Sequence, residues 1–409
     1  MKALLLFLFV IFTFSSCKKD NTIAATDIML YMKEAYVGDE IQVIGKQFDP
    51  EAKKNIVVFS GGKEVAATSV VDGYLVVSVP EGAVSGPLYV KKGKKSSPLS
   101  TAILIRRKYK WQTLAPFPGV GRICAVGFSV NGKGYITTGA TKYSGTFPKD
   151  MWEYDPATNN WTRKADFPGN ARYFSFSFVV DKKAYVGGGI TNIPYDGTRD
   201  LYQYDPATDK WTQMASIPNT DSFTRSTAVN LDGNGFVINE GNKHGVWRYN
   251  TASNTWTLLN NANIYVPWAS IISQGISFVA EGKVHYGFGV SNLSSPPQPS
   301  NGLHSYDATK NEWTYVNQQI DPGSGLQALG NTHFFDGNIY ASFDDYGTLN
   351  RYDPLNKRWS RFYTGPLNIK SDAAYFTIGS TAYVFGGHAG FYDLGSNQLY
   401  GFNMDPYIR

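Results

Sequence analysis

The sequence predicts an all-β protein, in which a small sandwich precedes a larger ring of four-stranded sheets. Three observations lead there. Aromatic residues make up 15% of the 409, and 41 glycines and 20 prolines punctuate them, a mixture that favours strands and tight turns over helices. No long stretch after the first residues carries a helical period. Finally, MWEYDPATNNW (151–161) returns fifty residues later as LYQYDPATDKW (201–211), and such self-similarity marks a repeat architecture.

The chain opens on MKALLLFLFVIFTFSSC (1–17): one lysine, an apolar run to Phe14, two small residues and Cys17. The run is too short to span a bilayer comfortably and has the layout of an export signal. Its FSSC ending resembles a bacterial lipobox, with Phe14 where a leucine is usual. That resemblance implies lipidation of Cys17 and a protein held on the cell envelope, at the outer membrane on its periplasmic or surface face, touching the membrane through the lipid alone. Cys124 is then the one thiol of the mature chain. It has no partner for a disulfide, and RICAVGFSV reads as a buried site for a small hydrophobe.

Residues 23–106 lack tryptophan and alternate over short strands such as IQVIG, NIVVFS, YLVVSVP and TAILIRR, with turns at Gly38, Gly61–Gly62, Asp72–Gly73 and Gly86. This pattern predicts a small antiparallel sandwich. The residues VIGKQF, VVFSGG, Pro80 and Gly86–Pro87 resemble the IPT/TIG immunoglobulin-like domains, which implies a spacer or contact module. KKGKK (91–95) reads as a solvated hairpin tip. A net charge of +5 with no dense basic run gives no reason to expect nucleic acid as a partner.

From residue 109 to 409 the repeat takes over. Tyr154, Tyr204, Tyr249, Tyr306 and Tyr352 are each followed, seven residues on, by Trp161, Trp211, Trp256, Trp313 and Trp359. The repeat length varies while this inner spacing does not, so length changes fall in loops and the Tyr-to-Trp turn is rigid. Asp or Asn bonding to the local backbone, and a proline that presets φ, make YDPATNNW a β-turn between two strands. Upstream pairs such as 174–189 and 373–387 supply two more strands. Four antiparallel strands in about fifty residues, repeated, make a propeller blade.

The YVGGG and YVFGG strand ends, with YDPATxxW, resemble kelch repeats, which implies a kelch β-propeller. Gly139 lacks its twin glycine, and INEGN replaces the pair in the third copy. Five sets end on a Trp strand, three strands follow them, and YKWQTLAPFP (109–118) is a Trp strand with no blade before it. Joining these predicts a sixth blade of one N-terminal and three C-terminal strands, which closes the ring and hides sheet edges.

Binding on a rigid scaffold is expected in its variable loops. Arg122, Arg172 and Arg225 precede the inner strands of three consecutive blades, with Trp268 in the corresponding place of the fourth. Placed around a channel mouth, the guanidinium groups would hold a carboxylate or phosphate, and Trp268 would stack on a sugar. The alternative is that each arginine anchors a neighbouring loop carbonyl. Glu240 replaces a glycine near the same mouth and is the candidate acid–base group if there is catalysis. His388, in GGHAG, is the best placed of five histidines, which show no metal-ligand spacing. No cofactor or metal is expected, and Cys124 fits no crosslinked copper centre of the galactose oxidase kind. The resulting expectation is a non-catalytic binding module for glycan or protein at the loop face. Its alternative is a sugar mutarotase similar to the six-bladed kelch N-acetylneuraminate epimerases.

Overall fold

The computed structural model describes residues 23–106, 111–141, 145–191, 197–218, 223, 226–239, 245–260, 272–273, 275–288, 290–291, 298–299, 302–316, 319–320, 332–335, 338–342, 349–363, 371–388 and 396–403. The chain divides into two compact units, with the boundary between Lys108 and Tyr109. Residues 1–22, Cys17 among them, lie outside the described residues.

The first unit has two four-stranded sheets. One runs Thr26–Leu30, Glu40–Lys46, Tyr74–Ser78, Ser69–Val71; the other runs Glu64–Ala66, Asn55–Val58, Tyr89–Lys92, Lys95–Ser96. Period-two alternation sends Ile41, Val43, Leu75 and Val77 of the first sheet into one core with Val57 and Val90 of the second. Asp72 and Gly73, both at positive φ, form the two-residue turn that register requires between Val71 and Tyr74. The expected tip at 91–95 is a hairpin, but not wholly solvated. Lys92 is buried, and its ammonium group donates to the carbonyl of Gln47, satisfying a cation whose stem is packed away.

The second unit is a six-bladed propeller. From inside outwards, blade 1 is Val126–Val130, Lys133–Thr137, Met151–Asp155, Asn160–Lys164. Blade 2 is Phe176–Val180, Lys183–Gly187, Leu201–Asp205, Lys210–Met214, and blade 3 is Thr227–Leu231, Asn234–Ile238, Val246–Asn250, Thr255–Asn260. Blade 4 is Ile276–Ala280, Lys283–Gly287, Leu303–Asp307, Glu312–Val316; blade 5 is Thr332–Phe335, Asn338–Ser342, Leu349–Asp353, Arg358–Tyr363. Blade 5 carries Gln319–Ile320 as a parallel addition to its outer strand. Blade 6 is Ser371–Ile378, Thr381–His388, Leu399–Asn403 and, as its outer strand, Trp111–Thr113. The predicted closure is therefore present: Trp111 pairs with Phe402 and Thr113 with Tyr400. Gln398 fastens it by donating to the Leu114 carbonyl at 2.9 Å. Each inner strand packs on the next around the ring, and blade 6 meets blade 1.

The quoted turn is the joint between blades. Asn159, Asp209 and Asn254 are left-handed, and each places one side-chain oxygen where two donors meet. In the first of these joints, Tyr154 Oη donates at 2.8 Å and the Ala115 N–H at 2.9 Å to Asn159 Oδ1. Asp209 receives Tyr204 and Ala165 in the same way, and Asn254 receives Tyr249 and Ala215. Trp161, Trp211 and Trp256 donate their indole N–H to the carbonyls of those same alanines. Each turn thus grips the segment that leaves the previous outer strand.

Candidate functional site

Four blades share one device beside the axis. A residue of the inner strand stacks on its cross-strand partner: Phe128 on Tyr135, Phe178 on Tyr185, Phe278 on His285 and Phe376 on Tyr383, with interplanar angles of 4–11°. These rings fill the space between blades and hold the inner strands at fixed spacing. Between the strands lies a cavity of about 750 Å³, within the range of small-molecule sites.

Its wall chemistry follows from the hairpins. Each described inner strand of blades 1–4 and 6 turns into the second through two residues, closing on Val130↔Lys133, Val180↔Lys183, Leu231↔Asn234, Ala280↔Lys283 and Ile378↔Thr381. The closing pair of such a turn is hydrogen-bonded, and bonded pairs then alternate along the ladder. Residues such as Gly127, Ser177, Ala228, Ser277 and Tyr375 therefore aim their N–H and C=O away from the second strand, towards the axis. Two such carbonyls are used between blades: Ser177 Oγ donates to Gly127 O at 3.3 Å, and Asn230 Nδ2 to Val179 O at 2.8 Å. Ser129, Ser175, Ser226, Thr227 and Thr377 add hydroxyl groups to the lining, and Asp372 is the one charged side chain among the described lining residues.

At one end of the cavity, three blades share an unusual backbone. Cys124, Phe174 and Asp372, each four residues before the stacking aromatic of its blade, have φ of 52°, 57° and 58°. The Phe174 N–H donates to Cys124 O at 3.1 Å and the Cys124 N–H to Asp372 O at 2.7 Å. These two bonds link blades 6, 1 and 2 at their left-handed residues. All three side chains line the cavity. Cys124 is buried and in no disulfide, as expected.

The arginines are elsewhere in role. Arg122 and Arg172 have side chains with no exposure. Arg122 Nη2 donates to both oxygens of Asp150 at 2.9 and 3.1 Å, Nη1 to Thr138 O and Nε to Val120 O. Arg172 pairs with Asp200 at 2.7 Å and reaches Gly188 O, Thr198 Oγ1 and Asn170 O. Each guanidinium also lies over a phenyl ring, Phe117 at 4.8 Å and Phe167 at 5.0 Å. Burial lowers the Arg122 pKa, against the opposing pull of Asp150. The geometry realises the anchoring alternative: these groups tie the inner-strand entry to the twin-glycine loop and are not presented to a ligand. Asp150 and Asp200, each 28 residues after its arginine and directly before the third strand, were the missed signal.

The presumed equivalence of Arg225 and Trp268 also fails. The carbonyls of Arg122 and Arg172 accept from Gly387 and Gly139, and the one that accepts from Gly189 is Phe223. Phe223 precedes Thr227 by the same four residues that separate Arg122 from Val126. In blade 4 the same count gives Ile272, which pairs with Ser291. Different lengths of the preceding loops misled the sequence comparison. Arg225, Glu240 and Trp268 themselves lie outside the described residues, and of His388 only the backbone, at the end of Thr381–His388, is described. No group of three or more metal-ligating side chains occurs among the described residues.

Comparison with known proteins agrees with this architecture. The family model described as Kelch motif matches residues 171–218, which span blade 2. The solved structure titled "Structure of YjhT" is similar over 70% of this chain and 95% of its own, with a TM-score of 0.54 and 15% sequence identity, a likeness of fold. No curated protein matches the sequence.

Proposed function

We propose that this kelch propeller is a non-catalytic binding module whose ligand enters the central cavity at the mouth ringed by Cys124, Phe174 and Asp372. The observation that supports this reading is the lining itself. It combines inner-edge backbone groups and hydroxyls with one carboxylate, and offers no paired acid and base among the described residues. General acid–base work needs such a pair within hydrogen-bond reach of the reacting atoms. Residues 23–106 are read as an immunoglobulin-like spacer, and Cys17 as the point of lipid attachment on the envelope.

The test is capture of labelled glycans and envelope proteins by the full-length protein. Thr377→Arg, which fills the cavity, should abolish capture. Tyr315→Arg, at an exposed outer-strand position, should leave it intact. A folded Thr377→Arg protein that binds as the parent does would refute the site. The rival reading, mutarotation, has its own measurement. If the protein equilibrates N-acetylneuraminate anomers faster than buffer in an NMR assay, catalysis replaces binding. Mass spectrometry of the mature N-terminal peptide decides the anchor, since an unmodified Cys17 would remove it.

A further inference from the structure

Resting on the lipid-anchor reading above, we infer that the outer face of the sheet that begins at Thr26–Leu30 is a membrane-seating surface, which lies on the bilayer that holds Cys17. The face is built from cross-strand pairs. Met29 pairs with Ile44, Ile44 with Tyr74, and Tyr74 with Val71. One row thus crosses all four strands, and residues opposed in this way share a face. Their neighbours in the chain, Ile28, Val43, Leu75 and Val70, belong to the core of the sandwich or pack against it, so alternation turns the row outwards. Val76, two residues along from Tyr74, lies on the same side. Exposure is high for such side chains: 55% at Met29, 42% at Val71 and 86% at nearby Tyr31.

The other sheet of the sandwich shows a face suited to water. Its outward row is Ala66, Ile56, Lys91 and Ser96, and Lys91 is ion-paired with Glu64. The row Met29, Ile44, Tyr74 and Val71 holds no charge. Both sheets bury their inward residues in one core, so folding alone does not require the outer faces to differ. A contiguous apolar face on one side marks a contact surface.

The tether identifies what is contacted. Six residues carry the chain from Cys17 to Ile23, a length that reaches at most about 20 Å. Ile23 is itself 61% exposed, and the edge strand that carries Met29 begins three residues later. With the lipid of Cys17 in the bilayer, the entry to this strand stays within that distance of the membrane. Contact with lipid is then an intramolecular event, and a patch too small to hold a free domain on a membrane suffices. The residue types suit an interface. Met29, Ile44 and Val71 offer apolar surface, while Tyr31 and Tyr74 carry amphipathic rings of the kind that settle at headgroup level.

The experiment uses the full-length lipoprotein, reconstituted in phosphatidylethanolamine–phosphatidylglycerol vesicles. Bimane is attached at Val71→Cys on the apolar face or at Lys95→Cys on the other sheet. Cys124 is buried and lipidation consumes the Cys17 thiol, so the label is confined to the introduced cysteine. Doxyl-labelled lipids should quench position 71 about twofold or more, because its label sits at headgroup depth, and should leave position 95 unquenched. Met29→Glu with Tyr31→Glu, both at exposed positions, should reduce quenching at 71 to the level at 95. The melting temperature should not move, and the protein should still float with the vesicles. Equal quenching at 71 and 95, in protein whose Cys17 mass spectrometry finds lipidated, overturns the seating and leaves the anchor standing. A blue-shifted emission at 71 that doxyl lipids do not quench means that a second copy or another protein covers the face, and overturns it as well. An unmodified Cys17 overturns the anchor reading and this inference with it.

Discussion

The outer rim and the inner mouth of the propeller are built from the same repeats by opposite rules. At the rim, equivalent positions carry equivalent residues: Tyr154, Tyr204, Tyr249 and Tyr306 each donate to the residue five positions on. At the mouth, equivalent positions share a backbone conformation and a hydrogen bond, yet hold Cys124, Phe174 and Asp372. Identity is maintained where a side chain makes the joint. It is released where the backbone makes the joint and the side chain faces the cavity.

The buried Arg–Asp pairs belong with the rim in this division, and breaking one should have the largest effect. Asp200→Ala strands the buried Arg172 charge without its partner, at a cost of about 3–5 kcal/mol. Blade 3 shows the chain's own alternative, with Phe223 in the arginine position and Gly245 directly before the third strand. The double change Arg172→Phe with Asp200→Gly removes both charges together and should recover most of the urea midpoint lost by Asp200→Ala. A double variant as unstable as the single one would show that the pair is more than an interchangeable tie.

A second test uses pH. His285 stands where blades 1, 2 and 6 have Tyr135, Tyr185 and Tyr383, flat against Phe278 at 4.9 Å. Burial pulls its pKa down to about 4, against a weaker raising effect of the Lys283 carbonyl. The unfolded chain takes up this proton near pH 6.5 and the folded one does not. The stabilising contribution is therefore whole above about pH 6.5, declines as pH falls towards 4, and amounts at most to about 3 kcal/mol. His304, also pushed down by burial, adds loss of the same sign. Urea midpoints between pH 7.5 and 4.5 should fall less steeply in His285→Tyr than in the parent, and parallel slopes would rule out a neutral buried imidazole.

At the rim itself, Asn159→Ala deletes an oxygen that serves two donors and should cost about 1–3 kcal/mol. Asp209→Asn keeps the acceptor, matches Asn159, Asn254 and Asn311, and should leave the thermal midpoint within a degree or two. Equal losses in the two variants would mean that charge, rather than the shared oxygen, makes the joint.

These contrasts also explain what the sequence could tell. Blade number and closure were legible because Tyr, Trp and the orphan strand at Trp111 report side-chain joints, and such joints require particular residues. The mouth ring was illegible because its rule is a backbone angle, and no glycine announces it at Cys124, Phe174 or Asp372. Arg225 and Trp268 were misaligned because position was counted along loops of unequal length. Counting back from the inner strand reaches Phe223 and Ile272. The Asp150 and Asp200 partners were visible at a constant spacing, but ion pairing across a blade becomes apparent only once strands one and three are brought to the same end.

The smallest effect tests a departure noted at the level of sequence, the glycine missing beside Gly139. Thr138 occupies that place with φ of 57°, where Gly188 and Gly386 have 60° and 75°. It is fully buried, and its Oγ1 has no hydrogen-bond partner among the described residues. Its carbonyl is committed to Arg122, so the backbone cannot relax without breaking the entry tie. Thr138→Gly relieves the left-handed strain and removes an unpaired buried hydroxyl, while it gives up a methyl group's packing and gains chain entropy in the unfolded state. Strain and desolvation together outweigh one methyl, so a net gain of about 0.5–1 kcal/mol is expected, read as a rise in the urea midpoint with ligand binding unchanged. A loss of stability would mean that the threonine methyl supports the mouth, and would place position 138 with the ring of unlike residues instead of with the rim.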